Sequence, residues 1–308
     1  MLVVVLARST TGDSTAFRPS CYLHRAMASD SAAIRLVVNA DGFGASPAVC
    51  RGVIEAHRRG IVTSTSIIGN CADPAGLKAI LDEAPELGVG VHLKLVDGPS
   101  VAAPNAVRSL VGPDGHFPAH PSEVAVSWAK GAMRADDVER EFDAQVSRLA
   151  DCGLRIDHLD TGHHLGFLPA IGRAVEAVAR RHGIPGIRMA IETPTLAWVV
   201  EAQRGALAAA LGGLAWLTRR KLGSLRHGPR TWGFVESGRL DEIRILEIVG
   251  RLDPGIHELI CHPALADGPP PPRDARDPAR ELAALTSSLV REAIAHKGVV
   301  LCRWADLF

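Results

Sequence analysis

The chain has 308 residues, 47% hydrophobic and 22% charged, with 34 Lys and Arg balanced by 34 Asp and Glu. That is enough apolar chain to bury one large core as a single domain, and a formal net charge of zero argues against a nucleic-acid binder, whose phosphate contacts need clustered positive charge. Six cysteines, at 21, 50, 71, 152, 261 and 302, contain no Cys-x-x-Cys pair, so neither a zinc ribbon nor a disulfide framework is indicated and a reducing cytoplasm is the expected setting.

The apolar run Met1 to Ala7 has no basic residue before it and is shorter than a signal peptide or membrane span requires. Residues 1–33 are expected to be an N-terminal extension without structure, with Met27 opening a short polar lead into the first strand, as a native start would. The strand at 34–39 is the apolar run Ile34 to Val38, and it ends in Asn39-Ala40-Asp41-Gly42-Phe43-Gly44. Ser46-Pro47 then caps and opens a helix over 47–59 that Gly60 terminates. Asp41 therefore sits on a strand-loop-helix corner, where α/β enzymes keep their chemistry, although an acid in a Gly-rich turn is also a simple turn former.

Further along, the pattern predicts a strand at 64–69, a helix at 74–84 and a strand at 88–93 that carries His92 at its end. A Pro-, Gly- and Ala-rich loop from 99 to 121 follows, of a length that is usually substrate-facing or disordered. Next come a helix at 135–150, a strand at 155–159 leading into His158, Asp160, His163 and His164, a helix at 169–182 and a strand at 186–190 with Arg188. Helices from 196 and 240, a strand at 256–261 ending in His262, a helix at 278–296 and a strand at 298–302 complete the chain, and the tract 268–277 reads as a solvated proline-rich loop. Strands alternating with helices are the mark of parallel βαβ units. The expected fold is α/β, an irregular TIM-like (β/α) barrel forming a single domain over 34–308, with its site at the C-terminal strand ends.

Four of those strand ends carry Asp or His. Any one histidine reads equally as a surface or hydrogen-bonded core residue, but mixed His and carboxylate sets are what hold a catalytic divalent metal while leaving room for water and substrate.

The segments Asn39 to Gly44, Gly60 to Ser66, Gly90 to Leu93, His158 to Asp160, Arg188 and Cys261-His262-Pro263, in this order, resemble the YdjC-like carbohydrate deacetylases, which include chitooligosaccharide deacetylases and the hopanoid-biosynthesis enzymes called HpnK. The run Thr231 to Leu240 is similar to the HpnK branch in particular. The resemblance implies metal-dependent hydrolysis of the N-acetyl group of an amino sugar, with Mg or Zn as the metal and an N-acetylglucosaminyl hopanoid as substrate. It implies Asp41 as the base, His262 as the acid or oxyanion stabiliser, and His92 as a metal ligand, while His164, with His163, is a nearby imidazole able to rebuild part of the metal site. Arg188 and Asp160 fall on the substrate side of this scheme, Arg188 holding substrate or pairing with Asp41, and Asp160 orienting a neighbouring histidine.

The chain departs from the family where the metal would be held. Members usually read Asn-Ala-Asp-Asp-Phe-Gly and His-x-Asp-x-His-x-His-x-His, whereas Gly42, Gly162 and Gly166 stand here in place of an acid and two imidazoles. Glycine has no side chain with which to coordinate. Either the metal is held differently, or it is bound weakly, or the chain is an inactivated form. Two other readings stay open: a non-catalytic sugar- or lipid-binding barrel, and a soluble chitooligosaccharide deacetylase. The stretch Ala197 to Lys221 ends in aromatic and basic residues, as interfacial helices do, and reads either as a peripheral contact with the inner membrane suited to a lipid-linked sugar or as a buried barrel helix.

Overall fold

The computed structural model describes residues 32–189, 191–195, 197–200, 202–219, 226–227, 230–266 and 275–308. The expected extension up to residue 31, the basic end at 220–221 and the proline-rich tract at 268–272 lie outside the described residues.

The first half of the chain runs β1 (Ile34–Phe43), α1 (Pro47–Arg59), β2 (Ser64–Ile68), α2 (Pro74–Leu81), β3 (Gly88–Leu93), α3 (Pro121–Ala129) and α4 (Ala135–Ala150). It continues through β4 (His158–Thr161), α5 (Pro169–His182), β5 (Gly186–Ile187), α6 (Ala197–Val200), α7 (Ala202–Arg219), β6 (Arg226–His227) and β7 (Arg230–Trp232). The last elements are α8 (Glu242–Arg251), β8 (Gly255–Cys261), α9 (Pro278–Leu285), α10 (Ser288–His296) and β9 (Val299–Leu301). Local chemistry explains most of the boundaries. Proline opens α1, α2, α3, α5 and α9, where a missing N–H is no loss. The side chains of Ser46, Asp73, Asp241, Asp277 and Ser287 each accept from a backbone N–H in the helix they precede.

The strands form one parallel sheet in the order β6-β5-β4-β3-β2-β1-β8-β7, with β9 beside the start of β1. This is an open form of the barrel that the sequence predicts. Among the described residues β6 and β7 are not paired, and the two flanks meet only through a parallel bridge between Glu192 and Thr231, with Thr193 N–H donating to the Thr231 carbonyl and Thr231 N–H to that of Ile191. β5 and β6 have two residues each, too short to carry a closing ladder.

Alternation along β1 sorts the core. Leu36, Val38, Ala40 and Phe43 join the large cluster between sheet and helices, with Val53, Ile67, Val91, Phe142, Leu159 and Ile171. Val37 faces the other way and packs with Cys302, Trp304 and Leu307. Each fully buried Val, Leu, Ile or Phe among these stabilises the fold by roughly 1.5–3 kcal/mol. Above Val37 on the same face stand Asn39 and Asp41, so the inner surface turns from apolar to polar toward the strand ends.

Two local expectations are corrected, and two elements and a loop are added. The strand expected at 155–159 lies at 158–161, because its ladder with β3 begins at the pair Gly90–His158. The helix expected at 278–296 is two helices, broken where Ser287 leaves one and caps the next. α3 and β7 had no counterpart in the sequence pattern. The loop after β3 is ordered: the Glu141 carboxylate accepts from Val101 and Ala102 N–H, Asp137 accepts from Ser109, and Asn70 donates to the carbonyls of Asp97 and Pro99. Three buried polar side chains one turn apart on α4, Asp137, Glu141 and Gln145, thus pin that loop. No helix among the described residues is long and apolar enough to cross a membrane.

Candidate active site

The site grows from the register of the sheet. Asp41 is level with Ser66, Ser66 with Gly90, Gly90 with His158 and His158 with Gly186, so their inward positions form one row; His92 and Asp160 pair in the next row up. Gly90 is needed there, since a Cβ at that position would lie 2.3 Å from the His158 ring, which stacks on Trp304 at 4.9 Å.

Arg188 sits at the centre, buried, with carboxylates on three sides. Its Nη1 donates to Asp41 Oδ1 at 2.8 Å and its Nη2 to Asp41 Oδ2 at 2.5 Å, while Nη2 is 3.1 Å from Asp160 Oδ2 and Nη1 is 3.3 Å from Glu258 Oε1. Asn39 Nδ2 donates to Asp41 Oδ1 and to Ser66 Oγ, both at 2.8 Å. The Ser66 hydroxyl donates to Asp160 Oδ2, whose other oxygen meets His92 Nδ1. Trp304 Nε1 donates to Glu258 Oε1 at 3.3 Å, and Glu258 Oε2 is buried without a partner.

Charge follows from this geometry. Burial would raise the Asp41 carboxyl, but the Arg188 guanidinium, helped by His92 and His262, holds it well below the usual carboxylate range. Asp160 is lowered in the same way against its burial, by Arg188 and His92. Burial also works against the Arg188 cation, yet the three carboxylates raise its pKa well above the ordinary value. Glu258 is the exception: burial dominates and pushes it up to about 7.

His262 follows β8 and is half-buried, with Ser237 Oγ 3.3 Å from its Nδ1 and its backbone N–H donating to Glu281 Oε2 at 2.6 Å. Burial lowers it to about 4, against the pull of Asp41, so its imidazole is neutral at pH 7. His164 is lowered to about 3, again by burial. Its ring stacks on Phe167 at 5.7 Å and meets Phe234 edge-on at 4.7 Å. His163 and His164 both take a positive φ, 53° and 55°, and His163 is exposed.

Among the described residues Asp41, His92 and Asp160 offer ligand atoms within 4.8 Å of one another, the spacing that a metal ion needs. The expected ligand His164 is not part of this group, its ring packing against Phe167 and Phe234, whereas Asp160, expected on the substrate side, is. As placed, this set does not fit a resident divalent ion. Every oxygen of Asp41 and Asp160 already has a donor, His92 Nδ1 is turned onto Asp160, and an ion between them would have to displace the Arg188 guanidinium. The free ligand atom is His92 Nε2. A Cβ on Gly162 would lie 3.5 Å from it and 3.4 Å from Lys94 Cδ, whereas a Cβ on Gly42, at φ 87° in a bulge of β1, would meet nothing within 4 Å. Gly166 is more closely packed, with Thr161 Oγ1 3.1 Å from its Cβ direction. Burial lowers the Lys94 ammonium somewhat, and Asp97 opposes this.

Sequence reasoning did not single out Ser66, Glu258, Trp304, Lys94 or the acidic pair Glu192 and Glu236. A polar residue at inward parity in a buried strand, as Ser66 and Glu258 are, is the signal that marks such positions, because a buried polar group needs a partner.

A parallel α/β sheet with an acid–base cluster at its C-terminal strand ends defines an enzyme of the open-barrel class. Residues 35–296 match the YdjC-like protein family, and the chain belongs to it. A carbohydrate deacetylase from Geobacillus stearothermophilus is 29% identical over 275 residues, covering 88% of this chain and 97% of that protein. One from Enterococcus faecalis is 29% identical over 294 residues, covering 89% and 98%. The crystal structure of an Enterococcus faecalis protein described as a candidate cellobiose-phosphate cleavage protein superposes with a TM-score of 0.70 at 26% identity, over 89% of this chain and 99% of that one.

Proposed function

We propose that this protein is a carbohydrate N-deacetylase, hydrolysing the N-acetyl group of an amino sugar. The observation that carries the reading is an Asp41 carboxylate gripped by Arg188 at the C-terminal end of β1, with His262 following directly on β8, the strand whose Cys261 is level with Ala40. The names of the full-length relatives support the same chemistry.

Hydrolysis adds water to the carbonyl carbon, breaks the C–N bond and leaves the nitrogen with one more proton. Asp41 is the charged acceptor for the water's proton. His262, neutral in the resting site, donates to the departing nitrogen only after receiving a proton, so the two act as a relay that carries water's proton to the amine. Arg188 belongs to the machinery as the counter-ion that fixes Asp41, the second of its two expected tasks, since both of its terminal nitrogens are committed to carboxylates. Asp160 fixes the orientation of His92.

The finer substrate we propose is an N-acetylglucosaminyl group carried by a hopanoid. The run Thr231 to Leu240 supports it by its resemblance to the HpnK branch, and Trp216 and Leu217, each about half exposed on α7, offer an apolar contact for a membrane surface on the cytoplasmic side. A second reading, a non-catalytic binding barrel, draws on the saturated carboxylates of the site. Acetate release from an alkyl N-acetylglucosaminide and from diacetylchitobiose, measured side by side, tests these readings. Faster release from the alkyl glycoside is the expected result; binding without release favours the second reading, and preference for chitobiose favours a soluble oligosaccharide deacetylase.

A further inference from the structure

Gly162 leaves a gap, and the stem of Lys94 runs beside it. The Cβ direction of Gly162 points between Lys94 Cδ at 3.4 Å and His92 Nε2 at 3.5 Å, so the lysine and the open edge of the imidazole flank one point at the mouth of the sheet. Lys94 follows β3 two residues after His92, a spacing that puts both side chains on the same face. Its backbone is clamped: the N–H donates to Gln145 Oε1 at 2.9 Å and the carbonyl accepts from Gln145 Nε2 at 2.8 Å, while that buried amide also donates to Glu141 at 2.7 Å. Among the described residues the Lys94 ammonium has no hydrogen-bond or ion-pair partner.

We infer that Lys94 is the electrophile of the site: its ammonium meets the carbonyl oxygen of the substrate's N-acetyl group and stabilises the negative charge that gathers there as water adds. The inference rests on the deacetylase reading. Three observations carry it. Arg188 cannot turn to substrate, because Asp41, Asp160 and Glu258 hold it. The carboxylates that would attract a divalent ion are saturated, as described above. The stem of Lys94 and His92 Nε2, the remaining free ligand atom of that set, both lie within 3.5 Å of the Gly162 Cβ direction, so the lysine brings a like charge toward any ion bound there. The water oxygen bonds to the carbonyl carbon, the C–N bond breaks, the proton travels through Asp41 and His262, and Lys94 keeps its own protons throughout. A fixed donor aimed at a developing oxyanion is worth about 10²- to 10³-fold in kcat.

The test uses the whole chain, with Lys94→Met, which keeps the stem and removes the charge, and Lys94→Arg, which restores a cation. Acetate release from diacetylchitobiose and an alkyl N-acetylglucosaminide is followed after chelation with EDTA, alongside thermal melts and Zn²⁺ titration by calorimetry. The expected result is release that survives EDTA in the unmodified chain, falls by about 10²-fold or more in kcat in Lys94→Met with the melt preserved, and returns in part in Lys94→Arg. Lys94→Met should also bind Zn²⁺ more tightly than the unmodified chain. Release that EDTA abolishes, Zn²⁺ restores and Lys94→Met leaves unchanged overturns the role of Lys94 and leaves the deacetylase reading standing. No release from folded protein under any of these conditions, with or without Zn²⁺, overturns both.

Discussion

Arg188 grips Asp41 with both arms of its guanidinium, at 2.8 and 2.5 Å, across 147 positions of sequence. The pair fixes the direction of the carboxylate and keeps it charged, and it also restrains its basicity, since a base is most effective with a pKa near the working pH. The same guanidinium neutralises the site that a metal ion would otherwise claim.

Asp41→Asn keeps the shape of the side chain and removes its charge. Acetate release should fall by about 10²- to 10⁴-fold while affinity for the sugar persists. Stopped-time acetate assays beside equilibrium binding read the two separately, and unchanged turnover would take Asp41 out of the mechanism.

Arg188→Met would leave Asp41, Asp160 and Glu258 buried together without their cation. Breaking a buried pair by removing one partner costs about 3–5 kcal/mol, so urea unfolding should show a loss of that size. Arg188→Lys keeps the charge without the fork and should lose less stability. Equal stability of Arg188→Met and the unmodified chain would mean that the carboxylates take up protons at little cost.

Gly42 and Gly162, which stand where the resemblance implies ligands, should respond differently to added side chains. Gly162→His would place its Cβ beside His92 Nε2 in ordinary contact and should raise Zn²⁺ affinity. Gly42→Asp enters open space but at φ 87°, a conformation that costs a non-glycine residue of the order of 1–3 kcal/mol. Calorimetric titration of the two single variants and the double variant should show the largest gain in the double, and a melt should show the cost at position 42. No gain in Zn²⁺ affinity in any variant would sink the assignment of this corner as a latent metal site.

Glu192 sets a pH dependence of stability. Burial, then the charge of Glu236, pushes its carboxyl up to about 8. A carboxyl raised on folding contributes fully below its unfolded pKa, near 4.5, and that contribution is lost as pH climbs toward 8, by up to about 1.4 kcal/mol per pH unit. Glu258 and Glu281, each pushed to about 7, add to the loss at its lower end. His262 and His164 act in the opposite sense, but their contribution is complete by about pH 6.5. Melting temperature should therefore fall between pH 6.5 and 8, and Glu192→Gln should flatten the decline. A Glu192→Gln melt that declines as steeply as the unmodified chain would remove Glu192 as the cause.

On α7, Leu214 is half-buried and packs on the core, while Trp216 and Leu217 are about half exposed. Trp216→Ser with Leu217→Ser should weaken binding to anionic vesicles without lowering the melt by more than a few degrees; Leu214→Ser should lower the melt instead. Vesicle sedimentation paired with a thermal scan tells them apart, and unaltered vesicle binding in the double variant would end the membrane reading.

Elements with local causes were legible in the residues alone. Ser46-Pro47 starts α1, the apolar run before Asn39 makes β1, and the strand ends with Asp41, His92, Asp160 and His262 mark the mouth of the sheet. The family motifs lie in those same segments, which is why membership was legible. What each of these residues touches depends on packing between segments far apart in the chain. Parity along a strand says that Asp41 and Ser66 point inward, but the register between strands decides that Arg188 lands on Asp41, that Asp160 meets His92 and that Lys94 lies beside the gap at Gly162. The opening of the barrel was out of reach for the same reason: whether the flanks close depends on pairing between segments dozens of residues apart, and two-residue strands carry too little local signal to announce it.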